Sequence, residues 1–227
     1  MMNYKALKIV AAVLIMGSVQ GGILSQELAI TENGDSVYLF DNGMWSYDLE
    51  RPEGGLEEFE MYSEFSIIDS TNTVYTEPKS KQKKLDKTKQ AYSIAFDNKI
   101  WKRVPVSTIN DEADYTLISK DEEMYGMIIY EKVEIGLNAI MNIAMSNVKD
   151  NLNVNPDIIH SDYVMVNGKQ MIHATYKVNI QDLKFVFDSF YYSGEEGTVQ
   201  FTAWTFANIY KQKQAGMLKL LSSLIVK

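Results

Sequence analysis

Hydrophobic and polar positions change period along this chain, and the changes mark its elements. Ala91–Phe96 alternates, with Tyr92, Ile94 and Phe96 on one side, which predicts a strand. Asp97-Asn98-Lys99 turns the chain before Trp101, and Tyr115–Ser119 and Tyr125–Ile135 read as two further strands joined through Lys120–Glu123. Over residues 136–151 the period becomes helical. Leu137, Ile140, Met141, Ala144, Met145 and Val148 share one face and Asn138, Asn142, Asn147 and Lys149 the other, and Asn151–Pro156 ends the helix. Four long β runs follow: Ile158–Val166, Met171–Val178, Leu183–Tyr192 and Thr198–Phe206. Their connections contain Asn167-Gly168 and Ser193–Gly197, short enough to make neighbours antiparallel. A second helix is expected at 208–225, with Tyr210, Gln214, Met217, Leu218, Leu221, Leu224 and Ile225 inward.

Ahead of this block the signals are weaker. Asn33-Gly34 and Asn42-Gly43 suit tight turns and frame Ser36–Phe40, which predicts a three-stranded meander with strands near 28–31, 36–40 and 44–47 and Trp45 as its anchor. An acidic run that starts at Asp48 (with Glu50, Glu53, Glu57, Glu58, Glu60, Glu64) and then a basic one (Lys79, Lys81, Lys83, Lys84, Lys87, Lys89) mark residues 50–89. Charge blocks of this density favour extended, solvated chain, so a linker is expected, with one weak strand within Phe65–Tyr75. The lysines are read as part of that tether, the alternative being an anion or partner patch.

At the start, Lys5 and Lys8 precede the apolar run Ile9–Met16, and Gly17, Ser18, Gly21 and Gly22 follow it. That order is a secretory signal, with a cut after Ser25. The apolar segment Ile9–Val19 spans 11 residues, against about 20 needed to cross a bilayer. The expected layout is therefore a signal peptide at 1–25, a β meander at 26–49, a charged linker at 50–89 and an α+β domain at 90–227, in which helices flank a central antiparallel sheet.

Composition narrows the functional classes. The 227 residues are 46% hydrophobic and 23% charged, adequate for a packed core. The net charge of -8 becomes -10 once residues 1–25 are removed, and it is concentrated at 26–89 (-7) rather than at 90–227 (-3). A nucleic-acid ligand needs the opposite sign, as does an anionic membrane surface. With no cysteine, disulfides, thiolate catalysis and cysteine-ligated metals are excluded.

Candidate chemistry is sparse. Nucleophile-elbow, HExxH, phosphate-loop and dinucleotide glycine motifs do not occur, and Asp111–Asp114 and Asp121–Glu123 lack the calcium-loop spacing. The two histidines deserve weighing. His160 and Asp162 sit two apart on one strand face, and His173 can fall on the neighbouring strand, so a His/Asp/His metal site is conceivable. Without tight ligand spacing the expectation is that each is an ordinary strand residue, and no catalytic, cofactor or metal residue is assigned. Tyr191, Tyr192, Phe201 and Trp204 lie on adjacent strands and are expected to pack in the core, the alternative being a ligand groove.

Two resemblances add to this reading. Thr31, Glu32, Gly34, Val37, Leu39, Asp41, Gly43 and Trp45 match a T-E-x-G…V-x-L-x-D-x-G-x-W pattern and resemble a short β module near the start of exported bacterial proteins. The order of elements over the last 135 or so residues is similar to the PsbP-like family. The matching features are Tyr92–Phe96 with Trp101, the helix from Gly136, the Val166-Asn167-Gly168 turn, the aromatic strand Phe185–Tyr192, Phe201–Trp204 and the closing helix. That fold is shared by a photosystem II extrinsic subunit, a Ran-binding yeast protein and many exported bacterial proteins. The resemblance implies an antiparallel sheet between helices and a binding or assembly role, and it supplies no catalytic residues and no partner. The resulting expectation is an exported, non-enzymatic binding or assembly-accessory protein with a protein partner in the cell envelope. A periplasmic small-molecule or lipid carrier is the alternative. Neither nucleic-acid binding nor membrane insertion after signal cleavage is expected.

Overall fold

The computed structural model describes residues 27–30, 36–39, 45–46, 73–78, 83–86, 91–180 and 182–227. The expected signal peptide and the acidic run at 48–64 lie outside them. The chain divides into a smaller unit, Ser18–Glu64, and a larger one that contains Phe65–Lys227.

In the smaller unit β1 (Glu27–Ile30), β2 (Ser36–Leu39) and β3 (Trp45–Ser46) pair in sequence order, with Ile30 opposite Ser36 and Leu39 opposite Trp45. This is the expected meander.

The larger unit begins with β4 (Val74–Tyr75), β5 (Lys83–Asp86), β6 (Tyr92–Phe96), β7 (Trp101–Val104), β8 (Tyr115–Ser119) and β9 (Met124–Glu131). Helix α1 (Leu137–Leu152) follows, then β10 (Asp157–Val166), β11 (Lys169–Ile180), β12 (Leu183–Gly194) and β13 (Gly197–Phe206), and finally α2 (Tyr210–Leu221) and β14 (Ile225–Val226). The main sheet has eight strands in the order β4-β10-β11-β12-β13-β9-β8-β7, antiparallel throughout except at β4, which runs parallel to β10. A second sheet has the order β14-β6-β5. The α+β class and the central antiparallel sheet hold, with the one parallel strand making it mixed.

The turn residues explain the hairpins. Asn167 and Gly168 take φ of 48° and 87°, so the β10–β11 turn uses two left-handed residues, which asparagine and glycine accept at least cost. The helix α1 ends on Asn153, also left-handed at φ 53°.

Both faces of the main sheet are closed. On one face Ile140, Met141, Ala144, Met145 and Val148 of α1 pack over Ile172, Val178 and Phe185. A transverse aromatic row lies in the same layer: Tyr176, Phe187, Trp204 and Tyr125 occupy paired positions on β11, β12, β13 and β9, with ring centroids 5.0, 5.8 and 5.6 Å apart and nearly parallel planes. On the other face Met217, Leu220 and Leu221 of α2, with Leu224 and Val226, pack with Tyr92, Ile94, Phe96, Phe190 and Phe201. Burying each such side chain contributes about 1.5–3 kcal/mol before entropy is subtracted.

Two expectations are corrected. Helix α2 stops at Leu221 instead of 225, and Ile225–Val226 form a strand on β6. The hydroxyls of Ser222 and Ser223 donate to the carbonyls of Leu218 and Leu220, competing with helix continuation, and Ser223 Oγ accepts the Ala95 N–H. The stretch 50–89, expected as linker, supplies β4 to the main sheet and β5 to the second one, where Leu85 is buried. β4 falls at the end of the weak strand expected within Phe65–Tyr75, whereas charge density hid β5, whose one apolar residue is Leu85. One side chain ties the pieces together: Asn167 Nδ2 donates to the carbonyls of Ser222 and Leu224, while its Oδ1 accepts the Glu77 N–H.

Candidate functional site

A cluster of ionisable side chains lies on the α2 face of the main sheet, at the β4–β12 end. In β10 the pairing shifts between Ile158 and His160, which sets His160 opposite Thr175 and Asp162 opposite His173. On β12, Asp188 pairs with Thr175 and Phe190 with His173. Strand alternation therefore puts His160, Asp162, His173, Thr175 and Asp188 on one surface.

The geometry is close-knit. His160 Nε2 is 3.0 Å from Asp162 Oδ1, and His173 Nδ1 is 3.7 Å from the same oxygen. On its other side His173 Nε2 lies 3.2 Å from Asp188 Oδ1. Thr175 donates its hydroxyl to Asp188 Oδ1 at 2.6 Å, and the Tyr210 hydroxyl, from the first residue of α2, reaches both Asp188 oxygens at 3.1 and 3.2 Å. Tyr75 of β4 sits over the group, its ring 6.0 Å from His173 and 5.0 Å from Phe190. Asp162, His173 and Asp188 are buried, whereas the His160 side chain is 34% exposed, so the group opens to solvent on the His160 side. Burial, followed by the charges of Asp162 and Asp188, raises the Tyr75 pKa, and burial together with Asp188 raises that of Tyr210. Both phenols therefore stay protonated as donors.

His160, Asp162 and His173 each present one ligand atom, and the three atoms lie within 4.8 Å of one another. The arrangement can hold a divalent cation between them, or a proton on His173 between two carboxylates. The structure thus brings together the three residues that sequence spacing alone left unassigned. Asp188, Thr175, Tyr75 and Tyr210 were missed. One signal was available: an aspartate inside the apolar run Leu183–Tyr192 is a buried charge that demands partners.

The other candidates have structural roles. Tyr191, Tyr192, Phe201 and Trp204 are all buried; Tyr191 and Trp204 face α1, and Tyr192 and Phe201 face α2, so they line no common groove. Asp114 accepts the Tyr92 hydroxyl at 2.9 Å. Asp121 and Glu123 both pair with Lys213 of α2. Burial works against the Asp121 carboxylate, but hydrogen bonds from Lys213 and Ser119 outweigh it and hold its pKa down to about 2.

The sequence matches no family model and no curated protein. Its architecture is similar to solved structures. The solution structure of cyanobacterial PsbP from Synechocystis sp. PCC 6803 superposes with a TM-score of 0.51 at 14% identity, over 64% of this chain and 92% of that one. LpqN, involved in cell envelope biogenesis of Mycobacterium tuberculosis, gives 0.40 at 5% identity, over 66% and 87%. A protein of unknown function from Pseudomonas aeruginosa, PA94, gives 0.41 at 6% identity, over 64% and 97%. A two-faced α+β sheet with one helix on each side defines the class, and the fold is PsbP-like.

Proposed function

We propose that this chain is an exported, non-enzymatic accessory protein that binds a protein partner in the cell envelope through its surface. The observation that carries the reading is the filling of both layers of the fold. The aromatic row under α1 and the apolar side chains under α2 occupy the space in which a carrier would hold its cargo. The hollow lined by Ala95, Phe96, Trp101, Gly216 and Leu220 has room for about one water molecule. This tells against the carrier alternative. Among the described residues no helix is long and apolar enough to cross a membrane. Large apolar side chains do reach the surface at the β4–β10 edge, where Val74 and Met165 are neighbours and 66% and 36% exposed. Such a pair suits a protein contact.

Affinity purification from the native envelope fraction, read by mass spectrometry for proteins and small molecules, tests this. The expected result is a protein recovered in stoichiometric amount and lost when Val74→Lys and Met165→Lys are introduced together. Recovery of a stoichiometric lipid or small molecule without protein would refute it.

A further inference from the structure

We propose that His160, Asp162 and His173 form a binding site for a divalent transition-metal ion of the zinc class, with Asp188 as its positioning residue. The inference is independent of the partner-binding reading.

The donor set comes first. Two imidazole nitrogens and one carboxylate oxygen suit zinc, and bond lengths of about 2.0–2.1 Å place two donors of a tetrahedral ion roughly 3.3 Å apart. The distances from Asp162 Oδ1 to His160 Nε2 and His173 Nδ1, 3.0 and 3.7 Å, bracket that value. All three donors are borne on two adjacent strands of the main sheet, so the backbone ladder fixes their spacing without help from a loop.

The tautomer of His173 supplies the second line of argument. Asp188 already accepts the hydroxyls of Thr175 and Tyr210, and as a carboxylate it has only acceptor sites left for His173. Nε2 must therefore carry the proton that faces Asp188, which in the neutral ring leaves the Nδ1 lone pair pointing at Asp162. A lone pair aimed at a carboxylate is repulsive, and a cation shared by Nδ1, Asp162 and His160 removes the repulsion. The carboxylate–imidazole–metal relay that results is the usual support for a ligating histidine: it fixes the ring and raises its basicity. Thr175 and Tyr210 hold Asp188 in turn, a chain of contacts three residues deep. A site assembled only from exposed side chains would lack this chain. The fourth position lies on the solvent side, next to His160, open to water or to a side chain of a partner.

The test uses the full chain as its host produces it, untagged, stripped with a chelator and titrated with zinc chloride by calorimetry, with magnesium as a control. One equivalent of zinc is expected, with magnesium silent. Cobalt(II) in place of zinc should give the visible absorption of a tetrahedral centre. His160→Ala should weaken zinc binding by more than about 100-fold in protein whose near-ultraviolet dichroism shows it folded, and since His160 also pairs with the buried Asp162 the urea midpoint of the metal-free variant is recorded beside it. Asp188→Asn should weaken it about 10–100-fold and alter the cobalt spectrum, a change that a merely structural role for Asp188 would not produce. Absence of a one-equivalent zinc isotherm overturns the proposal, and so does an isotherm that His160→Ala and His173→Gln leave unchanged.

Discussion

Asp188 offers the sharpest test of how the α2 face is built. Its carboxylate is fully buried and meets three donors: Thr175 at 2.6 Å, Tyr210 at 3.1–3.2 Å and His173 at 3.2 Å. Replacing it with alanine removes the acceptor of all three at once. Loss of one partner from a buried, charge-assisted set costs about 3–5 kcal/mol. Against a stability of about 5–15 kcal/mol for a domain, that is a large fraction. Asparagine separates the contributions. With its carbonyl at the Oδ1 position it still accepts from Thr175 and His173 Nε2, without the charge, and its amide takes the place of Oδ2 beside the Tyr210 hydroxyl. Because the remaining bonds lose their charge and the acceptor at Oδ2 is gone, Asp188→Asn should cost about 1.5–3 kcal/mol. Urea unfolding followed by tryptophan fluorescence gives both values. Long-range nitrogen–proton correlation spectra of the metal-free protein report the tautomer: Nε2–H in the parent and, because the carbonyl at the Oδ1 position still accepts it, in the asparagine variant. An alanine variant within about 1 kcal/mol of the parent, or a parent already in the Nδ1–H form, would refute the reasoning.

Two further outcomes follow from the fold. Asn167→Gly keeps a turn residue that accepts φ of 48° but deletes the bonds to Glu77, Ser222 and Leu224; at about 0.5–1.5 kcal/mol each it should lose roughly 2–4 kcal/mol, with amide-exchange protection falling first in β4 and β14. The Asp121 carboxylate, held down to about 2 in the fold, contributes stability that is present above the ordinary carboxylate range and is lost as pH falls from about 4 toward 2. Asp121→Asn should flatten that part of the pH–stability curve, and an unchanged curve would show that the Lys213 pairing does not matter.

Sequence alone determined where most elements lie and which way the hairpins turn. The helical period of Leu137–Val148 and the Asn167-Gly168 pair are local signals, and they place α1 and the β10–β11 turn within a residue or two. The same pattern put Leu224 and Ile225 in a helix, because an apolar residue three or four positions on satisfies a helical period equally well when it is in fact a strand; only the docking of Val226 beside Tyr92 decides between them. It also left β5 inside a lysine-rich stretch, since Lys83–Asp86 is defined as a strand by its neighbour β6 and not by its own composition. The cluster shows the same division. Alternation told that His160 and Asp162 share a face, but period two does not say which strand lies alongside or what register it takes. His173 reaches Asp162, and Asp188 reaches His173, only through the pairing of β10, β11 and β12, and Tyr75 and Tyr210 arrive from opposite ends of the larger unit. Such contacts join residues 11 to 22 positions apart or farther, and the energy that selects them comes from burying both faces of the sheet at once, which no local window of the chain contains.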